Sequence, residues 1–265
     1  MRVLDLFSGI GGFSLGLERA GMTTVAFCEI EPFPRRVLAK HWPGVPIHDD
    51  IRTLDGSQYR GAIDVVCGGF PCQPFSLAGK QKGKDDDRHL WPEMLRVIRE
   101  VQPRFVIGEN VGGFIGMELD NCLSDLEALG YACGAFVVPA CAVDAKHRRD
   151  RVWILADRDR DRESSVSVYA EARELCAVDV ADSDSDSGER LKPCLADSQE
   201  RQEQGERQAR PCGDGFRRWA TEPAVGRVVN GISRGMDRSA RLRALGNAVV
   251  PQIVEQIGRA IMEAA

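Results

Sequence analysis

Three short strings in this 265-residue chain hold side chains able to do covalent or acid–base chemistry. Gly68-Gly69-Phe70-Pro71-Cys72-Gln73-Pro74-Phe75-Ser76 offers a thiol just after the apolar run Ile63 to Cys67. That run reads as a strand, which puts Cys72 on a rigid loop at its C-terminal edge, where open α/β sheets form their ligand crevices. An isolated cysteine is usually a small buried apolar side chain; the Gly/Pro-rich frame is what sets this one apart. As a thiolate it would be a strong nucleophile near neutral pH. Glu109-Asn110-Val111 follows the strand-like run Arg104 to Gly108 and brings a carboxylate to the same edge. In Lys146-His147-Arg148-Arg149-Asp150-Arg151, Arg149 and Arg151 enter the next strand at alternate positions, hence on one face. They are placed to orient the acid or to hold a phosphate.

A second group points to a bound small molecule. Asp5-Leu6-Phe7-Ser8-Gly9-Ile10-Gly11-Gly12-Phe13 sets a Gly-rich turn between the first strand and the first helix. Backbone can approach a ligand closely there, and the helix start supplies unpaired N–H groups. The spacing is not the dinucleotide Gly-x-Gly-x-x-Gly, and Asp5 beside the turn is expected to disfavour phosphate and favour a cation. Glu29 ends the second strand, where it can accept from ribose hydroxyls, and Asp50 ends the next strand segment. A nucleoside with a positively charged tail suits this set, and S-adenosylmethionine is such a ligand.

The elements that must position these residues are legible over the first half. Val3 to Phe7, Thr24 to Cys28, Ile63 to Cys67, Arg104 to Gly108, Ala132 to Val138 and Val152 to Ala156 read as strands. Helices are expected over Phe13 to Ala20, Pro32 to Lys40, Pro92 to Val101 and Asp120 to Leu129, with an amphipathic helix at the C-terminus. This alternation predicts an α/β fold, doubly wound around a largely parallel sheet. From Arg158 to Thr221 the pattern stops: 11 basic and 15 acidic residues, including Asp182-Ser183-Asp184-Ser185-Asp186, read as a partly flexible insertion. That excess supplies most of the net charge of −5, a balance that argues against indiscriminate nucleic-acid binding. Arg227 to Arg243, with five arginines and one acid, is the best phosphate-binding stretch.

Nine cysteines without Cys-x-x-Cys pairs suit reduced thiols and no metal site. No apolar run reaches the roughly 18 residues of a membrane helix, and Asp5 comes too early for a signal peptide, so a cytoplasmic protein with no membrane contact is expected.

Taken in order, Phe7 to Phe13, Gly69 to Ser76, Glu109-Asn110-Val111, Arg148-Arg149-Asp150-Arg151 and Gly246-Asn247-Ala248-Val249-Val250-Pro251 resemble the motifs of the DNA (cytosine-5) methyltransferases, of the compact prokaryotic or phage type found in restriction–modification. The resemblance covers Met1 to Ala156 and Arg227 to the C-terminus. It implies methyl transfer from S-adenosylmethionine to carbon-5 of cytosine in duplex DNA, in a bacterial cell or phage-infected host. Cys72 would be the nucleophile and Glu109 the acid that activates the ring, with Arg149 and Arg151 positioning them. Cofactor contacts would come from Phe7 and Ile51 on adenine, Gly9, Gly11 and Gly12 at the turn, Glu29 on ribose, Asp50 near the adenine amino group, and Ile30, Leu90, Asn247 and Val249. Pro71, Gln73, Ser76, Asn110 and Val111 would meet the base, and Arg227, Asn230 and Arg234 the DNA. Lys80, Lys82, Lys84 and Arg88 would close over the site.

The resemblance further implies one antiparallel strand in the sheet and a division into residues 1–156 plus 244–265, catalytic and cofactor-binding, and 157–243, a small target-recognition region; a monomer is expected. Two departures stand out. Ile30 sits where members often carry a larger side chain, and His147 replaces a glutamine, both expected to alter cofactor affinity. Two other functions stay open at this point: the same chemistry on transfer RNA, and a catalytically silent S-adenosylmethionine- or DNA-binding relative.

Overall fold

Alternate residues of the central strands face opposite ways, and both faces are apolar. Val3, Val65, Cys67, Phe105 and Ile107 pack into one cluster, while Leu4, Leu6, Val66 and Val106 pack into the other. Strands buried on both faces require helices on both, which is the doubly wound arrangement expected from the sequence. The computed structural model describes residues 1–71, 90–147, 149–158 and 238–265, all within one compact unit.

Seven strands, β1 (Arg2–Leu6), β2 (Thr23–Cys28), β3 (Ile47–His48), β4 (Val65–Gly68), β5 (Phe105–Val111), β6 (Ala132–Val138) and β7 (Arg151–Asp157), form one sheet in the order β3-β2-β1-β4-β5-β7-β6. The first five run parallel, and β7 lies antiparallel between β5 and β6. The chain builds outward from β1 to β3, then returns to start again at β4 beside β1. That reversal opens a crevice at the carboxyl ends of β1 and β4.

Helices α1 (Gly12–Arg19) and α6 (Pro251–Ala264) cover one face; α3 (Trp91–Val101) and α4 (Leu119–Ala128) cover the other. Helix α2 (Pro32–His41) follows β2, and α5 (Arg238–Asn247) precedes α6. Residue 244, where the C-terminal part of the catalytic region was expected to begin, thus lies inside a helix. Helix α5 escaped the sequence reading because its apolar residues, Ala240, Leu242, Ala244 and Leu245, mark no single face.

Two boundaries depart from expectation for one reason. β5 runs three residues beyond Gly108 because β7 pairs with it through Glu109 opposite Trp153, Asn110 opposite Val152 and Val111 opposite Arg151. Glu109 and Asn110 therefore sit in a strand rather than after one. Arg149 lies outside β7, with a left-handed φ of 40°, so it does not share a strand face with Arg151.

The C-terminal helix returns to the sheet as expected, and it docks through glycine. A Cβ on Gly16 would lie 2.5 Å from the Pro251 carbonyl and 2.6 Å from Val254 Cβ; one on Gly258 would meet Ala20 Cβ at 2.8 Å. Backbone that close cannot give way cheaply. Gly16→Ala is expected to lose about 1–3 kcal/mol of unfolding free energy through overpacking, despite alanine's better helix propensity; an unchanged urea midpoint would contradict this packing.

Candidate active site

The turn after β1 is held in a shape few sequences adopt. Phe7, Gly9 and Gly11 have φ of 52°, 53° and 85°, so the first is a non-glycine residue in the left-handed region. The turn is fixed by Gly11 N–H donating to the Ser8 carbonyl (2.8 Å), Ser8 N–H to the Cys28 carbonyl (3.1 Å) and Ser8 Oγ to the Asp5 carbonyl (2.6 Å). Glu29 ties this turn to the end of β2: its Oε2 accepts from Gly9 N–H at 2.6 Å and its Oε1 from Glu31 N–H at 2.7 Å. The carboxyl is buried, which raises its pKa, while the two N–H donors pull the other way.

These residues wall a cavity of about 490 Å³, a size common for small-molecule sites. Phe7, Gly9, Glu29, Ile30, Asp50 and Ile51 line one side. Leu90 and Asn247 also face it, as do Pro71, Glu109, Asn110, Val111 and Arg151. Most of the described residues singled out in the sequence therefore meet in one space. The exceptions have packing reasons. A Cβ on Gly11 would strike the Trp42 ring at 2.5 Å, and one on Gly12 would strike Val249 at 2.8 Å, so Gly11, Gly12 and Val249 support the wall from behind. His147 is exposed and does not line this cavity. Cys72, Gln73, Ser76, Lys80, Lys82, Lys84, Arg88, Arg227, Asn230 and Arg234 lie outside the described residues; Cys72 directly follows Pro71 in the chain.

Asp5 braces the turn from within the core. It is fully buried beneath the turn, where its Oδ2 accepts from Ser14 Oγ at 2.7 Å and from Ser14 N–H at 3.3 Å. It anchors the start of α1 rather than facing a ligand. Burial pushes its carboxyl up to about 7, with Ser14 opposing.

Glu109 faces the cavity from β5, buried except for 8% of its surface. Glu109 and Val111 share a strand face, and Arg151 stands opposite Val111, so the acid and the arginine form a diagonal cross-strand pair. Arg151 Nε reaches Glu109 Oε1 at 2.8 Å. Burial raises the Glu109 pKa; the Arg151 and Arg149 charges hold it back. Its other oxygen, Oε2, would lie 2.9 Å from a Cβ on Gly69, so a side chain at that position would crowd the acid. Asn110 Nδ2 donates to the Phe70 carbonyl at 3.1 Å and thereby ties the segment leading to Cys72 onto β5. Asn110 thus tethers that segment, besides facing the cavity.

The model of the C-5 cytosine-specific DNA methylase family matches residues 1–211. The chain belongs to that family. Among similar proteins, the Type II methyltransferase M.NgoMIV of Neisseria gonorrhoeae is 45% identical over 119 residues, 44% of this chain and 38% of that protein. Type II methyltransferase M.Eco47II of Escherichia coli is 37% identical over 164 residues, 59% of this chain and 39% of its own length. A solved protein encoded within an E. coli prophage superposes with a TM-score of 0.52 at 29% identity, covering 59% of this chain and 46% of that one. The matched segment thus spans half or less of these proteins' own lengths.

For this methylase-family chain, sequence reading missed several wall residues. Phe33 and Pro34 at the start of α2, Arg52, and Arg243 and Ala244 on α5 also line the cavity. A usable signal existed for the first two: a helix opening three residues after a crevice acid must begin at the crevice rim. Among the described residues, no His/Cys/Asp/Glu cluster could hold a metal ion, and no helix is long and apolar enough to cross a membrane.

The Asp5 carboxyl makes stability depend on pH. Its folded pKa lies above the unfolded value of 3.8, so its contribution is full below about pH 4 and is lost as pH rises through about 7. Between pH 5 and 6.5 the native chain should lose up to about 1.4 kcal/mol per pH unit relative to Asp5→Asn. Parallel stability–pH curves from denaturant titrations would show that Asp5 is ionised when folded.

Proposed function

We propose that this chain transfers a methyl group from S-adenosylmethionine to carbon-5 of cytosine in duplex DNA, through a covalent intermediate on Cys72. The observation that carries this reading is that Glu29, Asp50, Glu109 and Arg151 line one cavity, with Pro71, the residue before Cys72, also on its wall. Membership of the C-5 cytosine-specific DNA methylase family supports it.

The residues present fit the cofactor. Phe7, Ile30, Ile51 and Leu90 give apolar surface for a purine, and Glu29, whose oxygens keep lone pairs beyond those used by Gly9 and Glu31, suits ribose hydroxyls. Asp50 adds acceptor oxygens, and the acids together suit a cationic ligand. When bound, S-adenosylmethionine supplies the methyl group that carbon-5 of the base receives.

The chain's own side chains make carbon-5 reactive. Cytosine carbon-5 is a poor nucleophile until a group adds at carbon-6. The Cys72 thiolate forms that bond, and the displaced electron pair moves through the ring toward carbon-5 and ring nitrogen-3. Glu109 hydrogen-bonds and protonates nitrogen-3. Its burial keeps a proton available closer to neutral pH than an exposed glutamate would. Arg151 holds Oε1, leaving Oε2 for the base. As carbon-5 takes up the methyl group, nitrogen-3 returns its proton to Glu109; carbon-5 then loses its own proton to a base, the sulfur–carbon-6 bond breaks with its electrons returning to Cys72, and aromaticity is restored. The target base must first leave the duplex, at a cost of a few kcal/mol.

The test is transfer of labelled methyl from S-adenosylmethionine to mixed-sequence duplex DNA and to transfer RNA, with the native chain and Cys72→Ser side by side. Label on cytosine carbon-5 in DNA, absent with Cys72→Ser, is the expected result. Label confined to RNA, or none despite measured cofactor binding, would contradict the proposal. Glu109→Gln should lower kcat by about 10²–10⁴-fold while leaving the S-adenosylmethionine Kd within about twofold, as measured by equilibrium binding.

A further inference from the structure

Two parts of the cavity wall come from distant stretches of the chain: Glu109 to Val111 of β5 with Arg151 of β7, and Gly246 and Asn247 at the end of α5. One side chain joins them. Arg149 Nη2 donates to the Gly246 carbonyl at 2.7 Å and to the Ala248 carbonyl at 2.9 Å. The residue between those carbonyls, Asn247, lines the cavity. Arg149 itself does not line it, and its backbone is held in the left-handed region at φ 40°, where a non-glycine residue costs of order 1–3 kcal/mol unless its surroundings hold it.

The other half of the observation concerns charge. Arg149 lies close enough to Glu109 to stabilise its ionised form, alongside Arg151. Partial desolvation and the neighbouring Arg151 charge disfavour the charged form of Arg149, with Glu109 opposing, so Arg149 is held there against an electrostatic cost. The two carbonyl acceptors offset part of that cost, since a half-buried guanidinium needs oxygen partners where water is excluded. Arg151 makes the direct contact with the acid; Arg149 has its guanidinium turned to the C-terminal turn.

We propose that Arg149 is a positioning residue that latches the C-terminal end of α5, Gly246 to Ala248, to the loop entering β7, fixing Asn247 in the cavity wall while placing a second positive charge beside Glu109. One side chain then serves both the wall and the acid through separable features: its donor fork holds the wall, and its charge acts on the acid. The consequence for ligand affinity rests on the reading of the cavity given above; the latch does not.

Two full-length variants separate its parts. Arg149→Lys keeps the charge and loses the planar donor fork, and Arg149→Gln loses the charge. Amide hydrogen exchange of residues 246–250 should be at least tenfold faster in both, with α6 protection unchanged. In carboxyl-carbon NMR titrations, Glu109 should titrate at higher pH in Arg149→Gln and close to the native value in Arg149→Lys. Native exchange rates in both variants, or equal Glu109 shifts in both, would overturn the latch. S-adenosylmethionine affinity should fall severalfold in both. A native chain that fails to bind it would defeat the reading of the cavity, while the two ligand-free measurements would still judge the latch.

Discussion

The contact on which the site depends is the pairing of a buried carboxylate with an arginine across two antiparallel strands. Glu109 sits in a nearly closed wall, where an ionised carboxyl without a partner would cost several kcal/mol. Arg151 at 2.8 Å offsets that cost without removing it, and the acid keeps a raised pKa. The pair exists because β7 runs against β5 up to Val111 opposite Arg151. A parallel neighbour would reach this edge of the sheet with its C-terminal end, whereas an antiparallel one arrives with its N-terminal end and the residues that precede it. The reversed strand delivers the arginines to the crevice.

The other half of the site follows from the reversal of strand order between β1 and β4. The crevice there receives the turn after β1 and the segment after β4. Glu29 locks the first from the neighbouring strand, and Asn110 tethers the second from β5. Each functional segment is thus pinned by a side chain from an adjacent strand, which lets irregular backbone keep a fixed shape. Beneath them, Asp5 and Ser14 fasten β1 to α1, and the glycine-lined contact of α1 with α6 brings the C-terminal turn back to the cavity.

Much of this was legible because it depends on local pattern. Two-faced apolar runs gave the strands, and Gly or Pro at element ends gave the helices. Residues at carboxyl ends of strands, Glu29, Pro71 and Glu109, met in one cavity because the topology of such sheets leaves them nowhere else to go. What escaped depends on pairing between distant segments. The extension of β5 through Glu109 is set by β7, some forty residues later, and no periodicity encodes it. Two-residue β3 is too short to carry a pattern. Sequence places Asp5 beside the turn; that it lies under the helix depends on Ser14, nine residues on. Gly11 and Gly12 make room for Trp42 and Val249, and sequence does not distinguish this use of a small residue from close approach of a ligand.

The most direct measurement of the central claim uses a duplex carrying 5-fluorocytosine. Once methylated, carbon-5 of that base has no proton to lose, so a cysteine bonded at carbon-6 cannot leave. Incubated with S-adenosylmethionine, the native chain should be trapped as a stable adduct that mass spectrometry places on the peptide containing Cys72, formed far more slowly by Glu109→Gln. Binding of both cofactor and duplex with no adduct, or an adduct on another cysteine, would contradict the account.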